Sequence, residues 1–508
     1  MVILQNVRPD PKGLLAVCHD VGLEFVLLQR RMRVMLASSG GSNVRIDTRT
    51  HDGEGRMLID FCLISGLLVL AHLLRAGVPA LSRLLIPSSM IAGIIGLALG
   101  PGGYDLLPFS RGEDGNALLG TYPGILITLL FATLLMGHRP THLTRETWHG
   151  SRTSFFYNLG SEFMQYGVVL CVGTALLTFV FTDLRDEFMV LLPGGFAGGH
   201  GTAALYADAM PQWDAARSIG FTFATLGILC AVLGGLVLVN IARRRCWIPQ
   251  ETPVGPQTAD STGTQAALEQ ASFLPEEFQA PTGRSTVNSI ALEPLAWHVA
   301  LVLAVYGLTV TVMPIVREWL PPKFMLPAFL IAMLLGWIVQ SALEAAKVGQ
   351  YVDVKTIGSI GSLASDYLVA FGIASINVQI VLTHAVPLLV FALLGLMLCV
   401  GWLLLVAPRV FGKRWFESGI FTFGWNTGTA AFGVALLRIV DKRTDSRVLA
   451  DYGVAYIAIG PLEAVLYTTV LAALATGQLF TLGVGLIATA AVMAVAAVRS
   501  RPGNSLSS

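Results

Sequence analysis

The chain has 508 residues, 54% of them hydrophobic and only 13% charged, with a mean hydropathy of +0.67. Soluble domains carry about 25% charged residues, so this composition, with repeated apolar runs of about twenty residues, excludes an ordinary soluble globule and indicates a polytopic membrane protein. A formal net charge of +1 argues against nucleic acid as a partner, and the six cysteines show no CxxC or Cys/His metal spacing, so no zinc, disulfide or cofactor is expected.

Residues 1–56 stand apart from the rest of the chain. They are polar and basic (Arg30, Arg31, Arg33, Arg45, Arg49), and the apolar patch at 22–28 is too short to span and has no small-residue cleavage site after it. Met57 opens an apolar run directly, so the expectation is a translation start at Met57 or a disordered leader. Spans are then expected at about 58–76, 84–101, 120–138, 154–181 and 216–242. Between the last two lies Leu192-Pro193-Gly194-Gly195-Phe196-Ala197-Gly198-Gly199-His200-Gly201-Thr202-Ala203-Ala204, more glycine than a regular element favours. A linker at about 245–293, rich in Pro, Gln, Thr and Glu, reads as a solvated, flexible connector. A second set of spans is expected at about 294–314, 325–345, 355–376, 383–407 and 449–475, with Gly424-Trp425-Asn426-Thr427-Gly428-Thr429-Ala430-Ala431 between the last two. A final run at about 479–498 is extra, and 477–508 is read as that span plus a tail.

The two sets read as repeats. Pro87, Ile91, Ala92 and Gly96 match Pro327, Ile331, Ala332 and Gly336 at a constant offset, and Gly201-Thr202-Ala203-Ala204 matches Gly428-Thr429-Ala430-Ala431. Gly220, Gly227, Leu229 and Ala231-Val232-Leu233 match Gly453, Gly460, Leu462 and Ala464-Val465-Leu466 in the same order. Five spans per repeat, an odd number, turn the second repeat upside down. Basic residues favour one set of loops, among them Arg139, Arg145, Arg152, Arg243, Arg244, Arg245, Lys413, Arg414, Lys442 and Arg443. With those loops inside, the core N-terminus lies outside and the C-terminus inside. The fold class is therefore an all-α polytopic membrane protein with two inverted-topology repeats, at 57–244 and 294–476. Each carries a re-entrant hairpin, at 186–210 and 414–440.

Non-helical backbone at membrane depth survives only when buried in protein or lining a watery cavity. Two broken segments at matching places in two halves point to a transport site, where helix N-termini suit a carboxylate and free carbonyls suit a cation. The opposing reading is that small residues merely let helices pack closely. Gly198, Gly199, His200, Gly201 and Thr202 in the first tip, and Asn426, Thr427, Gly428 and Thr429 in the second, are the substrate-binding candidates. Gln165 joins them, either facing the cavity or bonding two helices. His200 either donates to a substrate carboxylate or holds the loop through a carbonyl. Acids inside spans are functional candidates by default. Asp366 and Glu463 are the ion-coupling candidates, for Na⁺ or a proton, with a Na⁺ site at Asp366 and Thr429. Pro461 is expected to unwind or kink the helix before Glu463. Glu162, nearer a span end, reads instead as a carboxylate paired with a basic residue. His72, His298 and His384 read as interfacial, and Trp425 as a residue lining the site.

The chain resembles the bacterial sodium/glutamate symporters. The resemblance is carried by Gly198-Gly199-His200-Gly201-Thr202, Ile86-Pro87 with Ala92-Gly93, Phe131-Ala132-Thr133, Met164-Gln165, Ala224-Thr225-Leu226-Gly227 with Gly234-Gly235, and Leu326-Pro327 with Gly336. It implies a dimeric, Na⁺-driven secondary transporter of the bacterial inner membrane, built from inverted repeats and two re-entrant hairpins, with one domain moving against a scaffold. Glutamate or a related amino acid or organic anion is the expected cargo. A proton-coupled organic anion carrier is the alternative. More distant are a channel, which inverted halves and two broken helices do not require, and an intramembrane hydrolase using His200 with an acid, since neither tip holds a Ser or Cys nucleophile. The second tip, Trp425-Asn426-Thr427-Gly428-Thr429, departs from the family pattern.

Overall fold

A computed structural model describes residues 53–84, 86–112, 117–136, 145–248, 272–274, 279, 281–319, 328–441 and 448–500. Most of the expected leader (1–52), the middle of the linker and the tail beyond 500 lie outside the described residues. Among the described residues the chain is helical, with one isolated bridge between Arg111 and Ala117 and no strand. The helices are α1 (Gly53–Gly77), α2 (Pro79–Arg83), α3 (Ser88–Leu99), α4 (Tyr122–Leu134), α5 (Arg145–Phe179), α6 (Glu187–Phe196), α7 (Gly199–Asp208), α8 (Ala215–Leu229) and α9 (Gly235–Arg244). After the linker come α10 (Pro294–Trp319), α11 (Ala328–Ala345), α12 (Val354–Ala374), α13 (Val378–Thr383), α14 (Ala385–Leu405) and α15 (Ala407–Phe411). The last four are α16 (Trp415–Thr427), α17 (Ala430–Val440), α18 (Val448–Thr476) and α19 (Leu479–Arg499).

Nine helical stretches among the described residues are long and apolar enough to cross a membrane. The expectation of five full spans per set needs correcting in the first set. α3 has 12 residues, which at 1.5 Å per residue gives about 18 Å against a hydrocarbon core of about 30 Å. The 13 residues of α4, by contrast, are lengthened by the 3-10 turn Leu118–Thr121 that runs straight into them. The cause is local. Pro87 caps the start of α3 and the Gly100-Pro101-Gly102-Gly103 turn ends it, while Pro123 opens α4. α8 and α9 form one rod through a π-turn at Cys230–Gly234. α18 runs through Pro461 without the unwinding expected there.

Large apolar side chains face outward on the peripheral helices: Leu303, Val310 and Ile315 on α10, Leu389 and Met397 on α14, and Val484 and Val492 on α19. Water would not tolerate such a surface; lipid does. Without a hydrophobic drive between helices in lipid, close approach depends on small residues. The extra helix α19 lies along α5 at such a crossing, where a Cβ on Gly167 would fall 2.8 Å from Ile487 N and 2.9 Å from Gly483 O. α12 meets α3 the same way: a Cβ on Gly93 would fall 2.7 Å from Ile373 Cβ.

Two polar clasps pin the periphery. Asp60 on α1 is fully buried and accepts from Tyr122 Oη at 2.6 Å and Ser110 N at 2.8 Å. Tyr122→Phe leaves one carboxylate oxygen without its donor, so a loss of about 1–3 kcal/mol is expected, read as a lower thermal unfolding midpoint. His298, four residues into α10, is fully buried: its Nδ1 bonds Pro294 O at 2.6 Å and its Nε2 accepts from Asp353 N at 2.8 Å. Burial works against a charged Asp353, but bonds from Thr356 Oγ1, Thr356 N and Arg284 N outweigh it and hold this carboxyl below its usual range. The described parts of the expected linker stay largely exposed but touch the helices at a few points. Ser272 accepts from Arg75 at 3.0 Å, Phe273 lies against His72, and Thr286 Oγ1 donates to Tyr351 O at 2.7 Å.

Candidate functional site

The first glycine-rich stretch folds into a hairpin of α6 and α7. Its break is only Ala197-Gly198, and most of its glycines sit inside helices for close contact. Gly194 leaves room for the Tyr206 ring, Gly201 for Ile127, and a Cβ on Gly195 would fall 2.7 Å from Ala224 N. Gly199 is the turn itself. Its φ of +64° lies in the left-handed region, where a side chain is strained.

The second stretch forms the hairpin of α16 and α17, joined backbone to backbone. A Cβ on Gly424 would fall 2.8 Å from Gly433 Cα, and one on Gly433 2.5 Å from Phe421 O. Asn426 and Thr427 belong to the last turn of α16, and the turn is Gly428-Thr429. Thr427 spends its hydroxyl on Phe423 O at 2.7 Å, whereas Thr429 is extended and makes no side-chain cap.

The two tips meet. A Cβ on Gly199 would lie 3.6 Å from Gly428 O and 3.7 Å from Thr429 Cγ2. α8 backs both: Gly227 lies against Thr427 O and Phe196, and a Cβ on Gly428 would fall 3.3 Å from Ala231 in the π-turn. α7 and α17 therefore start at the same place. The first-turn N–H groups of a helix have no partner within it, and neither Gly198 nor Thr429 supplies a side-chain cap.

His200 and Thr202 are both 2% exposed. His200 Nε2 lies 3.1 Å from Thr225 Oγ1, and that hydroxyl donates to Phe221 O at 2.8 Å. With the hydroxyl proton committed, Thr225 accepts from Nε2–H. Nδ1 is then a bare acceptor, buried and without a partner. The ring lies over Gly372 of α12, whose Cβ would fall 2.7 Å from His200 Cδ2.

Asn426 points the other way, into α5. Its Nδ2 donates to Ser161 Oγ at 2.6 Å, its backbone oxygen accepts from Gln165 Nε2 at 3.4 Å, and Gln165 Nε2 also reaches Cys399 Sγ at 3.6 Å. Gln165 thus joins α5 to the second hairpin. Gln165 Oε1 and Asn426 Oδ1 are buried without partners. A recess of about 130 Å³ is lined by Ser154, Asn158, Arg414, Ser418, Thr422 and Asp451; Thr422, whose Oγ1 donates to Asn158 Oδ1 at 2.7 Å, also lines a small void beside Asn426.

The acids separate. Asp366 is exposed on α12 and accepts from Ser89. It lies six residues, about 9 Å along the axis, from Gly372 under His200. Glu463 is 4% exposed between α18 and α5, where it accepts from Tyr456 Oη at 3.3 Å. Glu162 faces it and has no basic partner among the described residues, against expectation. Trp425 does not line the tips; it packs on Tyr452 at 5.7 Å between ring centres. Thr225, Ser161 and Glu162 escaped the sequence reading as site residues. A signal was present: Asn158, Ser161, Glu162, Gln165 and Tyr166 follow the i, i+3, i+4, i+7, i+8 spacing of one helix face.

Residues 167–438 match the family model described as sodium/glutamate symporter. The matched stretch runs from within α5 to within α17 and holds both tips, Thr225 and Asp366; Glu162, Gln165 and Glu463 fall outside it. No curated protein matches the chain.

Proposed function

Since the match covers more than half of the chain, the protein belongs to the sodium/glutamate symporter family, a family of membrane transporters rather than enzymes, and on that premise we propose that it is a Na⁺-coupled symporter of glutamate or a closely related organic anion. The observation that carries this reading is the meeting of the two hairpin tips at Gly199 and Gly428-Thr429. Two half-helices starting at one point aim partial positive charge at a shared gap, which suits a carboxylate. The carbonyl ends of α6 and α16 at the same turns suit Na⁺. Gly198, Gly199, Gly201 and Gly428 are proposed to bring backbone N–H groups to the cargo, with Thr202 and Thr429 supplying hydroxyls. Asn426 and Gln165, on the α5 side of the second tip, are proposed to meet it through their unpartnered amide oxygens as it passes that side. In the neutral ring set by Thr225, His200 Nδ1 accepts, which suits a substrate ammonium rather than a carboxylate.

Asp366 stays the proposed Na⁺ residue with Thr429. No three acidic, His or Cys side chains gather among the described residues, so such a site would draw most of its oxygens from backbone and hydroxyls. The inverted relation of the halves, re-entry of the hairpins from opposite faces, the outside N-terminus of the core, residence in a bacterial inner membrane and a homodimer belong to the same proposal. What supports the inversion is the pairing of α6–α7 with α16–α17 at matching sequence positions.

Reconstitution tests it. In proteoliposomes, uptake of L-glutamate is expected to require an inward Na⁺ gradient and to show counterflow; uptake indifferent to Na⁺ overturns the coupling. His200→Ala and Thr202→Ala are each expected to cut uptake roughly tenfold, the effect of about 1.4 kcal/mol of lost interaction, with membrane insertion intact. Unchanged uptake in both removes the first hairpin from the site.

A further inference from the structure

A second polar chamber lies between α5 and α18. Glu162 and Glu463 are 1% and 4% exposed, and each accepts one phenol: Tyr467 Oη to Glu162 Oε1 and Tyr456 Oη to Glu463 Oε2, both at 3.3 Å. Tyr467, which donates to Glu162, stands four residues and so one turn from Glu463 on the same face of α18, which brings both carboxyls to one chamber. Glu162 Oε2 is buried without a partner. So is the hydroxyl of Tyr452, a side chain only 9% exposed that lies within the field of both acids. The other titratable groups facing the pair are Tyr166 from α5, Tyr206 from α7, and Tyr456 and Tyr467 from α18. Tyr206 Oη donates to Tyr166 Oη at 3.1 Å. Among the described residues no lysine or arginine pairs with either acid. Two like charges this deep, with only phenols around them, cannot both stay ionised.

We propose that Glu162 and Glu463 together bind one proton, at a site separate from the hairpin tips, and that its presence holds the second hairpin in place. Loading forms one O–H bond on a carboxylate oxygen with a proton taken from water; unloading returns it to water, with no redox change. The chamber is wired to the hairpin twice. Ser161 and Gln165, on the same face of α5 as Glu162, hold Asn426, while Tyr452 packs edge-to-face with Phe421 and Trp425, ring centres 4.6 Å and 5.7 Å away. Loss of the proton leaves two facing carboxylates that push α18 from α5 and loosen α16. Both acids lie outside the residues that match the family model. The gating role rests on the transport reading; the proton site does not.

The test uses the full chain in lipid. Infrared spectra are expected to show a protonated-carboxyl C=O band that alkali removes and that E162Q/E463Q lacks. No band in the wild type, or the same band in the double variant, overturns the site; a band removed by Na⁺ at constant pH reassigns the pair to that ion and overturns the proton. Hydrogen exchange over 415–440, corrected for intrinsic rate, is expected to quicken several-fold as the proton leaves and to lose this pH dependence in E162Q/E463Q. Equal protection at both pH values in the wild type overturns the gating. Neither readout needs glutamate, so failure of the cargo assignment is distinguishable.

Discussion

Gly424→Val is expected to abolish uptake and to lower the thermal midpoint of the purified protein. The added Cβ would fall 2.8 Å from Gly433 Cα and N, and the clashing atoms are backbone, which cannot rotate aside. Overpacking of this kind costs about 1–3 kcal/mol or more, and here it parts the two halves of a hairpin whose tip must reach Gly199. Gly424→Ala should give a smaller fall in both measurements. A valine variant that takes up substrate at the wild-type rate would show that α16 and α17 need not touch.

Asn426→Leu is expected to cut uptake more than tenfold while costing about 1–3 kcal/mol of stability. The swap removes the bond to Ser161 Oγ and the unpartnered Oδ1, but leaves the backbone oxygen that accepts from Gln165. It therefore isolates the side chain. Comparing uptake at low and saturating substrate separates the two roles. A rise in KM with unchanged maximal rate places Oδ1 on the cargo. A fall in maximal rate alone makes Asn426 part of the hairpin's attachment to α5.

Much of the hairpin chemistry was legible in order along the chain. Each glycine-rich stretch holds a break between two helices, at Ala197-Gly198 between α6 and α7 and at Gly428-Thr429 between α16 and α17, because glycine and threonine there act on the local backbone. The expected span at 84–101 was too long for an equally local reason: apolar residues run through Leu84, Leu85 and Ile86, but the helix begins only after Pro87. The glycines of the first stretch were half understood. Only Gly199 needs a positive φ; Gly194, Gly195 and Gly201 answer to Tyr206, Ala224 and Ile127, contacts no local pattern announces.

The sequence alone determined a polytopic membrane protein, its doubled glycine-rich stretches and its family, since charge shortfall, apolar run length and motif spacing are properties of consecutive residues. Tertiary structure decided which polar groups meet. It set His200 on Thr225, Asn426 on Ser161, and Glu162 opposite Glu463 across 301 positions of chain. In a membrane interior every buried polar group needs a partner, and a helix's sequence shows which groups it carries but not which neighbour answers them. Glu162 read alone suggested a partner of opposite charge; packed against α18, it faces a second acid.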